Sequence, residues 1–74
     1  MQITVKLFAF FRDNRFKVKD FVFEEGTTVQ QVIVTFKIPT NEVGVTMING
    51  RHCGPDTILN ENDTLGIFPM IGGG

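Results

Sequence analysis

Val29, Val32, Ile33 and Phe36 recur at i, i+3, i+4 and i+7, the spacing of one buried helical stripe. They are bracketed by local signals that fix where the helix lies. Thr28 can cap its start, with Gln31 three residues later in the capping-box pattern, and Pro39 is expected to end it. The stripe is rich in β-branched residues, so packing rather than intrinsic propensity must hold the helix. Nearly everything around it has the period of strands. A single helix among strands needs a sheet face to cover, and that requirement limits the folds open to the chain.

The strands can be placed one by one. Residues 2–11, QITVKLFAFF, alternate so that Ile3, Val5, Leu7, Ala9 and Phe11 share one face, with Gln2, Thr4, Lys6, Phe8 and Phe10 on the other. RDNR supplies a turn, and a second strand over about Phe16–Glu24 returns antiparallel. VGVTMING is a third strand running into the tight-turn pair Asn49-Gly50, followed by a short return, RHC, broken by Gly54-Pro55. DTILNEND reads as a turn-rich connector holding Ile58 and Leu59 against the core. TLGIFPM is the last strand, closed by Pro69, which a strand accepts only at an edge or end.

Hairpin, helix, strand, short strand and final strand make an α+β order. For 74 residues the economical solution is a β-grasp roll, a mixed four- to five-stranded sheet with one main helix packed on one face. The first and last strands are then neighbours at its centre. Residues 1–71 form the domain and residues 72–74 a flexible glycine tail.

Composition narrows the function. A net charge of −1 offers no electrostatic footprint for nucleic acid. One cysteine, Cys53, rules out an internal disulfide framework and fits a reducing compartment. No apolar run approaches the ~18 residues of a membrane span, and the start has neither the h-region nor the cleavage site of a signal peptide. The expectation is a cytoplasmic protein, monomeric when free.

Catalytic equipment is sparse. His52 and Cys53 are adjacent and point to opposite faces of a strand, a poor dyad, and no further His or Cys completes a metal site. Glu24-Glu25 precede the helix, where the macrodipole favours negative charge. Arg12, Arg15, Lys17 and Lys19 in the first hairpin stand against a later acidic set of Asp56, Glu61 and Asp63, which reads as a solvated surface or as steering of a partner. One reactive group needs no side chain: the carboxylate of Gly74, anionic at neutral pH and requiring activation by another enzyme. An arm of Gly72, Gly73 and Gly74 is thin enough to enter such an enzyme's pocket. It can equally be a frayed terminus, and composition does not decide between the two.

The segments ITVKLFAFFRD, EEGTTVQQVI, MING, NDTLGIFP and the Gly-Gly ending together resemble the MoaD and ThiS family of sulfur carriers. These are small ubiquitin-like β-grasp proteins, and the resemblance spans essentially the whole chain. It implies a carrier, a protein substrate with no catalytic site and no bound cofactor. On this pattern a ubiquitin-activating-type adenylating enzyme uses ATP to activate Gly74, and sulfur then displaces AMP to leave a thiocarboxylate. That group donates sulfur to a synthase subunit. Gly72, Gly73, Pro69 and Phe68 become the partner-binding tail. Phe68-Pro69 match the Phe-Pro of the molybdopterin branch, where the carrier is the small subunit of molybdopterin synthase.

Thiamine thiazole synthesis, another thiolation route, or conjugation of Gly74 to target proteins as a ubiquitin-like modifier are the alternatives. Phe8, Phe10 and Met70 form the expected partner-binding surface if the side of the sheet away from the helix is open, and ordinary packing if it is covered. Three departures accompany the resemblance: Asn62-Asp63 stands where the family usually has Gly-Asp, KIPTNEVGV is shorter than in many relatives, and a third glycine, Gly72, precedes the pair.

Overall fold

The computed structural model of the chain describes residues 1–70. Five strands and one α-helix are found among them: β1 Gln2–Leu7, β2 Val18–Val22, α1 Val29–Thr35, β3 Val43–Ile48, β4 Arg51–His52 and β5 Thr64–Pro69. The strands form one mixed sheet in the order β2-β1-β5-β3-β4. β1 and β5 pair in parallel at its centre, and every other neighbouring pair is antiparallel. This is the β-grasp roll, with the first and last strands side by side. The expected domain limit at residue 71 and the tail 72–74 lie outside the described residues.

Period-two patterning puts the core on one side of the sheet. Ile3, Val5 and Leu7 of β1 and Leu65 and Ile67 of β5 are fully buried, joined by Val29, Val32 and Ile33 from α1. α1 starts as its residues dictate: Thr28 Oγ1 accepts the N–H of Gln31, and the Gln31 side chain accepts the N–H of Thr28.

The helix does not run to Pro39. It stops at Thr35 because Lys37 takes a positive φ of 57°. The N–H groups of Lys37 and Ile38 then turn back to the carbonyls of Val34 and Ile33, a Schellman ending that buries Ile38. Arg15 seals it from the first hairpin, donating from Nε to the Phe36 carbonyl at 3.0 Å and from Nη2 to that of Lys37 at 3.1 Å.

The first strand is likewise shorter than its alternation suggests. It ends at Leu7, and Ala9, with φ of 52°, opens a 3-10 turn over Ala9–Arg12. Phe11 reaches the core by that turn rather than by strand alternation, while Ala9 and Phe10 are left exposed. The chain has run past the end of the sheet here, and folding inward is what buries Phe11.

The connector before β5 is pinned by polar contacts. Asp63 accepts the Asn49 side-chain amide at 2.9 Å and the N–H of Asn60 at 2.8 Å, and Glu61 accepts the N–H of Gln2 at 2.7 Å. Two of the three carboxylates expected to oppose the basic hairpin are therefore engaged elsewhere. Asn62 supplies a left-handed turn at φ of 68°, so it fills the glycine's role. Of the expected pair Ile58 and Leu59, only Leu59 reaches the core, and Ile58 is exposed. Asn49-Gly50 turns between β3 and β4 with both φ values positive, at 52° and 80°, as a two-residue hairpin of type I′ needs.

Candidate functional site

β5 carries the chain from the centre of the sheet toward its C-terminal end, and its sides differ. Leu65 and Ile67 face the helix, while Gly66 and Phe68 face away. On that open side Phe68 stacks on Phe8, with ring centroids 3.9 Å apart and planes 9° from parallel. Gly66 lies beneath the pair. A Cβ there would stand 3.4 Å from ring atoms of both Phe8 and Phe68, at van der Waals contact, so the rings lie close against the sheet. Arg12 extends over the Phe8 ring at 5.4 Å from its centroid while its Nε donates to the Leu7 carbonyl. Lys6 and Met47 border the same shallow depression, about 150 Å³ in volume. The result is a flat aromatic platform with cationic groups at its margin, open to solvent and leading toward the chain end.

Pro69 has a different task. It is buried at the last position of an interior strand, where a missing N–H would normally break the ladder. The break is absorbed opposite it: the register of β3 shifts between Val43, which pairs with Pro69, and Val45, which pairs with Phe68. Gly44 occupies the shift. A Cβ on it would stand 3.0 Å from the Met70 and Pro69 backbone, tighter than nearly all such contacts. One residue later the Met70 N–H donates to the Glu42 carbonyl at 2.8 Å, and its side chain is 62% exposed. The strand is thus clamped up to residue 70.

The expected residues separate into three groups. Phe8 and Phe68 come together, and Pro69 and Met70 follow them along the chain. Phe10 does not join the stack; it sits on the 3-10 turn, edge-on to Phe11 at 5.1 Å and 47% exposed. Gly72, Gly73 and Gly74 lie outside the described residues. Away from the platform, His52 is exposed and Cys53 half-buried, its thiol donating to Thr46 Oγ1 at 3.6 Å. No group of three His, Cys, Asp or Glu side chains able to hold a metal ion forms among the described residues.

Gly44 and Gly66 add to the expected site residues, and Arg12, one of the basic hairpin set, joins them through Phe8. Gly66 was legible in the sequence, since it alternates with Phe68 on the side opposite Leu65 and Ile67. Gly44 was not, because its role depends on which strand lies beside it. Among the described residues no helix is long and apolar enough to cross a membrane.

Comparison with known proteins agrees with this geometry. The ThiS family model matches residues 5–74. The structure is similar to a putative molybdopterin converting factor, subunit 1, from Pyrococcus furiosus, with a TM-score of 0.77 and 27% identity over 96% of this chain and 99% of that one. Two further solved structures share the fold at lower identity. The small modifier SAMP1 of Haloferax volcanii gives a TM-score of 0.75 and 17% identity, with both chains covered fully. The complex of subunits 1 and 2 of the molybdopterin-converting factor from Helicobacter pylori gives 0.67 and 14%, again over both full chains. Comparison with curated proteins finds no match.

Proposed function

This chain belongs to the ThiS family, and from that premise we propose that it carries sulfur as a thiocarboxylate on Gly74. The carboxylate of Gly74 attacks the α-phosphorus of ATP in a partner adenylating enzyme, and pyrophosphate leaves. Hydrosulfide then attacks the acyl carbon, AMP leaves and a proton is lost, giving the C-terminal thiocarboxylate; this passes its sulfur to an acceptor, and water restores the carboxylate. The chain supplies the arm, its anchorage and a recognition surface, while the partner supplies the chemistry. The observation that carries this reading is the family match running to the terminal glycine from a fully formed β-grasp body.

The geometry supports a division of labour along the last strand. Clamping by Pro69, Gly44 and the Met70–Glu42 bond restricts where the arm can begin. A fixed origin lowers the entropy lost when the terminus enters a pocket. The Phe8–Phe68 platform, with Met70 beyond it, is the surface on which the partner rests. Molybdopterin synthesis is the leading pathway, with this chain as the synthase's small subunit. Its support is Phe68-Pro69 together with likeness to the Pyrococcus furiosus converting-factor subunit.

The test is an intact-mass measurement after incubating the chain with ATP, sulfide and a ubiquitin-activating-type adenylating enzyme. The expected product gains the difference between one sulfur and one oxygen, confined to the C-terminal residue, and the gain vanishes when Gly73 and Gly74 are deleted. Adducts joined by isopeptide bonds to other proteins, with no thiocarboxylate, would move the reading to a protein modifier.

A further inference from the structure

The two edges of the sheet are not alike. β4 closes one side with only Arg51 and His52. β2 closes the other with Val18–Val22, and among the described residues nothing lies against it. Hydrogen bonds to β1 use the odd-numbered residues: Leu7 donates to the Lys17 carbonyl, and Met1 and Phe23 exchange bonds in both directions. By strand alternation, Val18, Asp20 and Val22 therefore turn their N–H and C=O groups outward. Such an edge is a template for another strand. Its outward positions are two exposed valines, Val22 at 83% and Val18 at 50%, with Asp20 between them held by Thr4 Oγ1 and Gln2 Nε2.

The helix side of this edge is also unfinished. Phe16, Phe21, Phe23 and Phe36 form a chain of ring contacts, Phe21 meeting Phe36 at 4.7 Å, and all of them are only half-buried. At the end of β2, the connector to α1 and the helix leave an open groove of about 620 Å³, in which Phe23, Glu24 and Glu25 stand across from Val34, itself 61% exposed. Charge is divided along the edge. Lys17 and Lys19 lie at its start, Lys19 Nζ being 5.7 Å from the Phe21 centroid, and Glu24-Glu25 follow its end.

We propose that the outer edge of β2 binds an extended segment of another protein as an added antiparallel strand. That segment carries alternating β-branched residues and ends, on its C-terminal side, in acidic residues. The added strand takes the three outward N–H and C=O pairs, its apolar side chains fill the groove toward Val34, and its acidic end lies over Lys17 and Lys19. A second copy of this chain fits less well. Pairing centred on Asp20 or on Lys19 sets like charges directly opposite, and pairing centred on Phe21 puts Val18 against Glu24 of the copy. This edge is separate from the Phe8–Phe68 platform, so the inference stands or falls independently of sulfur transfer.

The test is amide NMR of the full chain titrated with a capped peptide of five alternating valine and serine residues followed by three glutamates. The expected result is chemical-shift change and slowed exchange at the amides of Val18, Asp20 and Val22. Moving the glutamates to the peptide's N-terminal end should weaken binding at least about fivefold, and so should reversing charge with Lys17→Glu and Lys19→Glu together. Val22→Pro, which removes an outward N–H and no internal one, should abolish binding while leaving the rest of the spectrum in place. The charge-reversed variant decides the matter if the proline variant does not fold. Absence of shifts at these amides up to about 1 mM peptide overturns the proposal. Equal binding of the two peptides, or shifts that depend on protein concentration without peptide, does the same, the last pointing to a second copy.

Discussion

On one side of β5 stand Leu65 and Ile67, with no exposed surface; on the other stand Gly66 and Phe68, beneath and within an aromatic pair that solvent reaches. Both sides are apolar, and composition does not tell them apart. What separates them is cover. α1 closes the first side, and its removal from water is what the fold rests on. The second has no helix, yet its rings lie flat against one another, 9° from parallel. A surface that is both apolar and pre-shaped while uncovered suits a contact that must form and separate.

The strongest attempt to break this contrast is Ile67→Ala. Truncating a fully buried side chain at the centre of the sheet should cost about 3 kcal/mol in chemical denaturation. A loss under about 1 kcal/mol would mean that the core is not where burial places it. Gly44→Ala should come next, at about 2 kcal/mol, because the added methyl meets backbone of Met70 and Pro69 that cannot rotate away. Phe68→Ala is the telling comparison with Ile67. It should cost only about 1 kcal/mol of stability, roughly the worth of an aromatic pair, while sulfur loading or capture of the partner falls at least about tenfold. A variant that unfolds without a specific loss of partner binding would erase the distinction. Smallest of all is Lys37→Gly, remote from both sides. Relieving the positive φ of the helix ending should raise stability by about 0.5 kcal/mol and leave loading unchanged.

The same contrast explains which features could be read from the sequence. Ile3, Val5, Leu7 and the Val29–Ile33 stripe obey periods set by backbone geometry, so the strands, the helix and their shared face were legible, as was the cap at Thr28. The break at Ala9 and the early stop at Lys37 were not. In each, a non-glycine residue takes a positive φ because a neighbour, Phe11 or Ile38, gains burial by it. That gain depends on where the rest of the chain lies, which no local window contains. The platform was half visible: alternation puts Phe8 and Phe68 on the open side. Only the parallel pairing of β1 with β5 brings them into one stack. Phe10, on the same alternation, was displaced by the turn that buried Phe11.

That parallel pairing also governs how the molecule bears load. Thr4 to Leu7 lie beside Thr64 to Ile67 in the same direction, so the amino end of β1 and the carboxyl end of β5 lie at opposite ends of the pair. Tension between the two chain ends stresses every bond of this ladder together, in shear. The β1–β2 hairpin, pulled apart at its open end, would instead unzip one pair at a time. A machine that grips this protein by its last residues pulls directly on the strand at the centre of the sheet, and must shear it free before the body unravels.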